Sequence, residues 1–141
     1  YGCLLVRPQG VGLDDLENPT VLDDLARALG AEPVDFPYKT ECCGAYQTVD
    51  NPGAVADRTF SILGAAVRRG ADIVSVSCPL CAFNLDHRQE DAARKYSGFK
   101  TIPVLYFTQL LALAMGCAEA DLRLDLHHIP PEPLLRRKGL I

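Results

Sequence analysis

"ADIVSVSCPLC", residues 71–81, decides how the rest of the chain is read. Ile73, Val74 and Val76 form a short β-branched run, the pattern of a strand buried on both faces. Cys78 follows, then Pro79 at the position of a first helical residue, then Cys81, so the chain turns from strand into helix between two thiols. Functional groups at the carboxyl end of a strand mark the working edge of a parallel α/β sheet.

Working outward, "TIPVLYF" (101–107) reads as another strand, and "AEPVDFPY" (31–38) as a brief or edge strand limited by Pro33 and Pro37. "ENPTVLDDLARALG" carries helix signals: Asn18 as N-cap, Pro19 next, apolar Val21, Leu22, Leu25 and Leu29, then Gly30. "DNPGAVADRTFSILGAAVRRG" repeats that grammar from Asn51 and Pro52 to Gly70. A third helix is expected from Pro79 to about Tyr96, and a fourth from a Thr108 cap to Gly116. Alternating strands and helices predict an α/β fold of Rossmann-like or flavodoxin-like type. It would have three layers, a parallel sheet of about four strands and helices on both faces. Cys3 should end the first strand, which is then truncated, with "CLLV" (3–6) as a shortened substitute. Residues 1–126 read as one domain and 127–141 as an irregular, proline-rich tail.

Composition narrows the classes of function. At 141 residues, 48% hydrophobic and 23% charged, the chain has the make-up of a soluble globular domain. A net charge of −4 with only short basic clusters argues against nucleic acid as a partner. The longest apolar run, "PVLYFTQLLALAMG" (103–116), is interrupted by Thr108 and Gln109 and is too short to span a bilayer. There is no signal-peptide pattern, and a start at Tyr1 suggests a piece of a longer protein.

Six cysteines in a small secreted chain would suggest a disulfide framework, but a domain of this size needs none and the spacing is clustered. Cys42 and Cys43 are adjacent and Gly44 follows them, which lets the backbone turn sharply or approach a bound group closely. In full the pattern is C-x38-C-C-x34-C-x2-C, comprising Cys3, Cys42, Cys43, Cys78 and Cys81. Five thiols exceed the four of a tetrahedral zinc site, and the excess argues for iron and sulfide. The helix N-terminus after Cys78 favours thiolate sulfur.

"YGC" followed by "RP", "ECCG" and "CPLC" at these intervals resemble the cysteine-rich CCG domain of the heterodisulfide reductase B subunit. The likeness extends to "ALGAEPVDFPYKTECCG", "CPLCAFNLDHRQ" and "IPVLYFTQLLALAMG", as in the carboxyl-terminal half of such a protein. The resemblance implies a noncubane [4Fe-4S] cluster held by Cys3, Cys42, Cys43, Cys78 and Cys81. It implies electron delivery to a small disulfide, in methanogens the mixed disulfide of coenzyme M and coenzyme B. It implies a second CCG domain, flavin- and ferredoxin-type partner subunits, and a cytoplasmic setting that includes the periphery of a membrane-associated redox complex. Only one CCG motif occurs here, so the opposing face of a two-cluster site is missing from these residues.

Two other functions compete. A thioredoxin-like dithiol oxidoreductase would use Cys78 and Cys81 but leaves Cys3, Cys42 and Cys43 unexplained. A zinc-binding structural module would employ four of the five thiols. Cys117, past the motif, reads as a packing or surface thiol; His87, less than three turns beyond Cys81, as an ordinary helical histidine; and His127 and His128 as solvent-facing.

Overall fold

The computed structural model describes residues 1–8, 10 and 12–141. Among these residues there are two strands, β1 (Val74–Val76) and β2 (Val104–Tyr106), paired in parallel with Val74 opposite Val104 and Val76 opposite Tyr106. The rest of the regular structure is helical: α1 (Cys3–Val6), α2 (Val21–Ala28), α3 (Pro52–Arg68), α4 (Pro79–His87), α5 (Gln89–Lys95), α6 (Phe107–Ala114) and α7 (Glu132–Arg137). The expected three-layer sheet of about four strands is therefore wrong. Instead, a two-stranded ladder sits in a mainly helical body.

Local chemistry explains the lost strands. Residues 31–36 have no regular structure and 37–40 form a turn, as suits a segment in which Pro33 and Pro37 each lack a ladder donor. "CLLV" is a single helical turn, closed by bonds from Leu5 N to Gly2 O and Arg7 N to Cys3 O, rather than a truncated strand.

The two strands carry alternating side chains into two cores. Val74, Val76 and Val104 pack with Ile62, Leu63, Ala66 and Leu85 from α3 and α4. Leu105, pointing the other way, packs with Leu122, Leu124 and Leu135. Each such buried aliphatic side chain contributes about 1.5–3 kcal/mol relative to exposure.

Helix ends follow the sequence in part. Asn51 caps α3 by accepting from Ala54 N at 3.1 Å, with Pro52 at the first position. The start of α2 is different: Asp14, not Asn18, accepts from Thr20 N (2.7 Å) and Val21 N (2.6 Å), while the Tyr1 hydroxyl accepts from Leu22 N at 2.8 Å. Nor does Thr108 cap α6. Tyr106 occupies that position, and Gln109 reaches back to accept from its N–H at 2.9 Å.

The helix expected from Pro79 to Tyr96 divides at Arg88, whose guanidinium donates to Thr48 O at 2.7 Å and to Asp91 at 3.1 Å. Just beyond the break, the wholly buried Gln89 side chain joins α5 to the approach of β2. It accepts from Ile102 N at 2.9 Å and donates to Ile102 O at 2.8 Å and Leu85 O at 2.9 Å.

The tail is more ordered than its prolines suggest. It contains α7, which buries Leu134 and Leu135. It is also pinned to α4, because His128 N (2.6 Å) and Ile129 N (3.0 Å) both donate to the buried carboxylate of Asp86.

Candidate functional site

Three turns of chain bring the thiols to one end of the ladder. β1 ends at Val76, Cys78 is the extended N-cap residue of α4, and Pro79 opens the helix. Cys81 thus lies in the first turn of α4, where backbone N–H groups lack helical acceptors and the helix dipole favours negative charge. Cys3 begins α1, next to Gly2. A Cβ built on Gly2 would lie 2.9 Å from the Cβ of Cys78, so only glycine lets the two segments approach this closely.

The adjacent pair is placed by its own turn. Gly44 has φ +79°, a left-handed conformation open to glycine at little cost, and leads into a 3-10 turn over Ala45–Gln47. Its N–H donates to the Cys42 sulfur at 3.4 Å. Arg58 from α3 donates to Cys42 O at 3.3 Å and pairs with Glu41, fixing the outer side of the turn. Cys43 points inward and is only 3% exposed, a member of the larger core.

The sulfurs form a connected set. Cys43 and Cys81 shift each other's pKa, Cys81 is also raised by Cys78, and Cys3 is raised by burial and by Cys42, Cys43 and Cys78, so all five lie within electrostatic reach of at least one other. All six cysteines are free thiols, so no disulfide framework is formed. Cys117 lies exposed beyond α6, outside this set. Among the described residues, no three His, Cys, Asp or Glu side chains stand close enough to clasp a single metal ion.

These contacts polarise the thiols. The neighbouring Cys81 thiol lowers the pKa of Cys43 to about 6, against the opposing effect of burial and helped by the Ala45 N–H and the Asn84 amide. Cys81 is raised by its coupling to Cys43, by burial and by Cys78. Burial raises Cys3, reinforced by Cys42, Cys43 and Cys78. Tyr106 is raised by burial and by the charges of Cys78 and Cys81, which puts the end of β2 beside the same site.

Asn84 has no counterpart in the sequence reading. It lies one turn beyond Cys81 on α4, and its side-chain N–H groups reach Cys43 O at 3.3 Å and Cys43 Sγ at 3.8 Å, within the longer range of a sulfur acceptor. A polar residue on the buried face of a helix, next to Leu85, is the one feature of the sequence that could have drawn attention to it.

A cleft of about 420 Å³ opens alongside, walled by Pro79, Ala82, Phe83, Tyr106 and Leu126, with His87, His127 and Arg123 among its polar groups. The histidines are not simply solvated as expected. His127 is half-buried and bonds Gln109 at 2.9 Å, while exposed His128 stacks on His87, which stacks in turn on Phe83.

A parallel two-stranded ladder with five gathered thiols at one end defines a cysteine-rich domain. Residues 1–86 match the CCG family, described as a cysteine-rich domain, and the chain belongs to that family. It is 34% identical over 126 residues to the membrane anchor subunit of the 8-methylmenaquinol:fumarate reductase of Wolinella succinogenes, covering 89% of this chain and 44% of that protein. It is also 34% identical over 130 residues to the B subunit of the ferredoxin:CoB-CoM heterodisulfide reductase of Methanosarcina mazei, covering 89% and 43%. A protein of Archaeoglobus profundus named as resembling the heterodisulfide reductase B subunit is 32% identical over 125 residues, covering 82% and 40%. The chain thus spans less than half the length of these relatives. No helix among the described residues is long and apolar enough to cross a membrane.

Proposed function

We propose that this chain is the cluster-binding domain of an oxidoreductase subunit of the heterodisulfide reductase B type. Cys3, Cys42, Cys43, Cys78 and Cys81 would hold a noncubane [4Fe-4S] cluster. The observation that carries this is the electrostatic coupling that links Cys42, Cys3, Cys43, Cys81 and Cys78, with Gly2 packed against Cys78. Soft sulfur donors spread over several points suit a multi-iron group, whereas a zinc site needs four ligands about one point.

Bound there, the cluster would supply one-electron chemistry and an iron able to take sulfur. The protein's part is to prepare the ligands. Metal-binding thiols must lose their protons, and the surroundings of Cys43 favour that loss, lowering its pKa to about 6. The α4 N-terminus and the N–H groups of Gly44, Ala45 and Asn84 favour negative sulfur. The cleft beside Pro79 and Ala82 would admit a small disulfide, with Phe83, Tyr106 and Leu126 excluding water along its apolar part.

The remainder of the parent protein would contribute a second cysteine-rich half facing this one, and flavin- and ferredoxin-type subunits would feed electrons. The complex would lie in the cytoplasm, a setting that includes the periphery of a membrane-associated redox complex. The test is the full parent protein purified without oxygen. Iron and acid-labile sulfide in near-equal amounts, both reduced by serine at any of the five cysteines, are expected. One zinc with no sulfide, or a metal-free protein with a redox-active Cys78–Cys81 couple, would replace this reading with a structural zinc module or a dithiol oxidoreductase.

A further inference from the structure

We infer that Asn84 is a positioning residue that tunes the reduction potential of the bound group by holding the sulfur of Cys43. The inference rests on the ligand role proposed above for Cys43. Asn84 is 1% exposed and lies on the same helix as Cys81, while Cys43 arrives from a turn 41 positions earlier in the chain. One amide nitrogen serves both the carbonyl (3.3 Å) and the sulfur (3.8 Å) of Cys43, tying the cysteine-pair turn to α4 at the point where Cys43 and Cys81 meet.

The orientation of this amide is fixed. Turned over, its oxygen would face the carbonyl oxygen of Cys43, so the nitrogen must point to the turn. The consequence is an unpaired Oδ1, buried without a hydrogen-bond partner. Leucine would fill the same space, beside Leu85, with no unsatisfied oxygen. A side chain that leaves a buried acceptor unmatched is best explained by what its donors do. The backbone supports it too, for Thr59 Oγ1 of α3 lies 3.5 Å from Asn84 O as a donor.

An N–H···S hydrogen bond draws negative charge from a thiolate ligand and favours the more negative, reduced state of a metal group bound through it. Asn84 therefore raises the potential. Removing its donors should make reduction harder while leaving all five thiols in place.

The experiment compares the full parent protein with Asn84→Leu, both purified without oxygen, by iron and sulfide content and by redox titration followed spectroscopically. Equal cluster content with a lower midpoint is expected, changing the reduced-to-oxidised ratio at fixed potential about threefold, or about 28 mV for one electron. An unchanged midpoint at equal cluster content overturns the inference and leaves the ligand assignment standing. A wild-type protein without iron overturns both. Should Asn84→Leu fail to fold, wild-type protein grown with ¹⁵N-asparagine decides instead. The paramagnetic cluster should show electron-spin-echo modulation from a side-chain amide nitrogen, and its absence rejects the role.

Discussion

The thiols of Cys81, in the first turn of α4, and Cys43, buried in the turn that follows Cys42, neighbour each other closely enough that each is the chief influence on the other's pKa. The proton that one sulfur gives up the other holds more tightly, and this sharing moves the two pKa values in opposite directions from the ordinary thiol value.

That sharing gives the metal-free protein a bell-shaped stability profile. Cys43 falls from 9.0 to about 6, so the unfolded chain holds more protons than the folded one in this interval, and stability rises with pH across it. Cys81 and Cys3 are shifted upward, so above pH 9.0 the unfolded chain releases protons that the folded one keeps, and stability falls again. Denaturation by urea, measured from about pH 5.5 to about pH 10 so as to bracket these values, should show the maximum near 9. Cys43→Ser should flatten the rising limb and also shrink the falling limb, because Cys43 is the chief cause of the upward shift of Cys81, leaving the burial of Cys3 to carry what remains.

Gln89 should be the most sensitive polar residue of the interior. Its amide satisfies both the N–H and the carbonyl of Ile102 as well as the carbonyl of Leu85, all at 2.8–2.9 Å. Gln89→Leu keeps the bulk but strands these buried groups, at a cost of about 2–3 kcal/mol. The loss should appear in urea denaturation, with Gln89→Glu also destabilised because a carboxylate cannot donate to Leu85 O and Ile102 O.

The sequence made local structure legible and distant pairing only where chemistry marked it. Val74 and Val76, and Val104 after Pro103, carry the β-branched pattern of buried strands and do form the ladder. The missing strands failed for a reason also present in the chain, two prolines in residues 31–38 and a Cys3 segment closed into a helical turn. The meeting of the five thiols could be expected because cysteine is rare and the intervals distinctive. Asn84, Asp86 and Gln89 could not, because their partners, Cys43, His128 and Ile102, become neighbours only in the folded chain. Capping shows the same limit: Asn18 and Thr108 have the right chemistry in sequence, but Asp14 and Gln109 have the right position in space.

Gly2 should tolerate no side chain. The 2.9 Å from its added Cβ to the Cβ of Cys78 involves an atom next to the backbone of the strand end, which cannot swing aside. Gly2→Ala should cost about 1–3 kcal/mol by overpacking, and should lower iron content in the loaded protein by displacing Cys3 from Cys78. Gly53→Ala, in the first turn of α3 with its nearest atom at 3.7 Å, is the control and should lower neither stability nor iron content.

Asp86 should decide whether the tail stays on the cleft. Its two carboxylate oxygens accept from His128 N at 2.6 Å and Ile129 N at 3.0 Å, and the side chain is 5% exposed. Charge-assisted bonds of this kind contribute about 1.5–3 kcal/mol each, far more than the ion pair between exposed His128 and Glu90. Asp86→Ala removes both acceptors and lets residues 127–131 leave α4, carrying His127 and the stacked His128 away from the cleft wall. Amide exchange at His128 and Ile129 should accelerate at least about tenfold, since each step of about 1.4 kcal/mol is a factor of ten in an opening equilibrium. Exchange at Val104 and Leu105, in the ladder, should change far less. Equal acceleration at both places would mean that Asp86 supports the whole fold rather than the tail alone. Glu90→Gln, which removes the outer contact with His128 and the exposed ion pair with Arg94 but neither bond to Asp86, should leave exchange at His128 and Ile129 close to that of the unaltered protein.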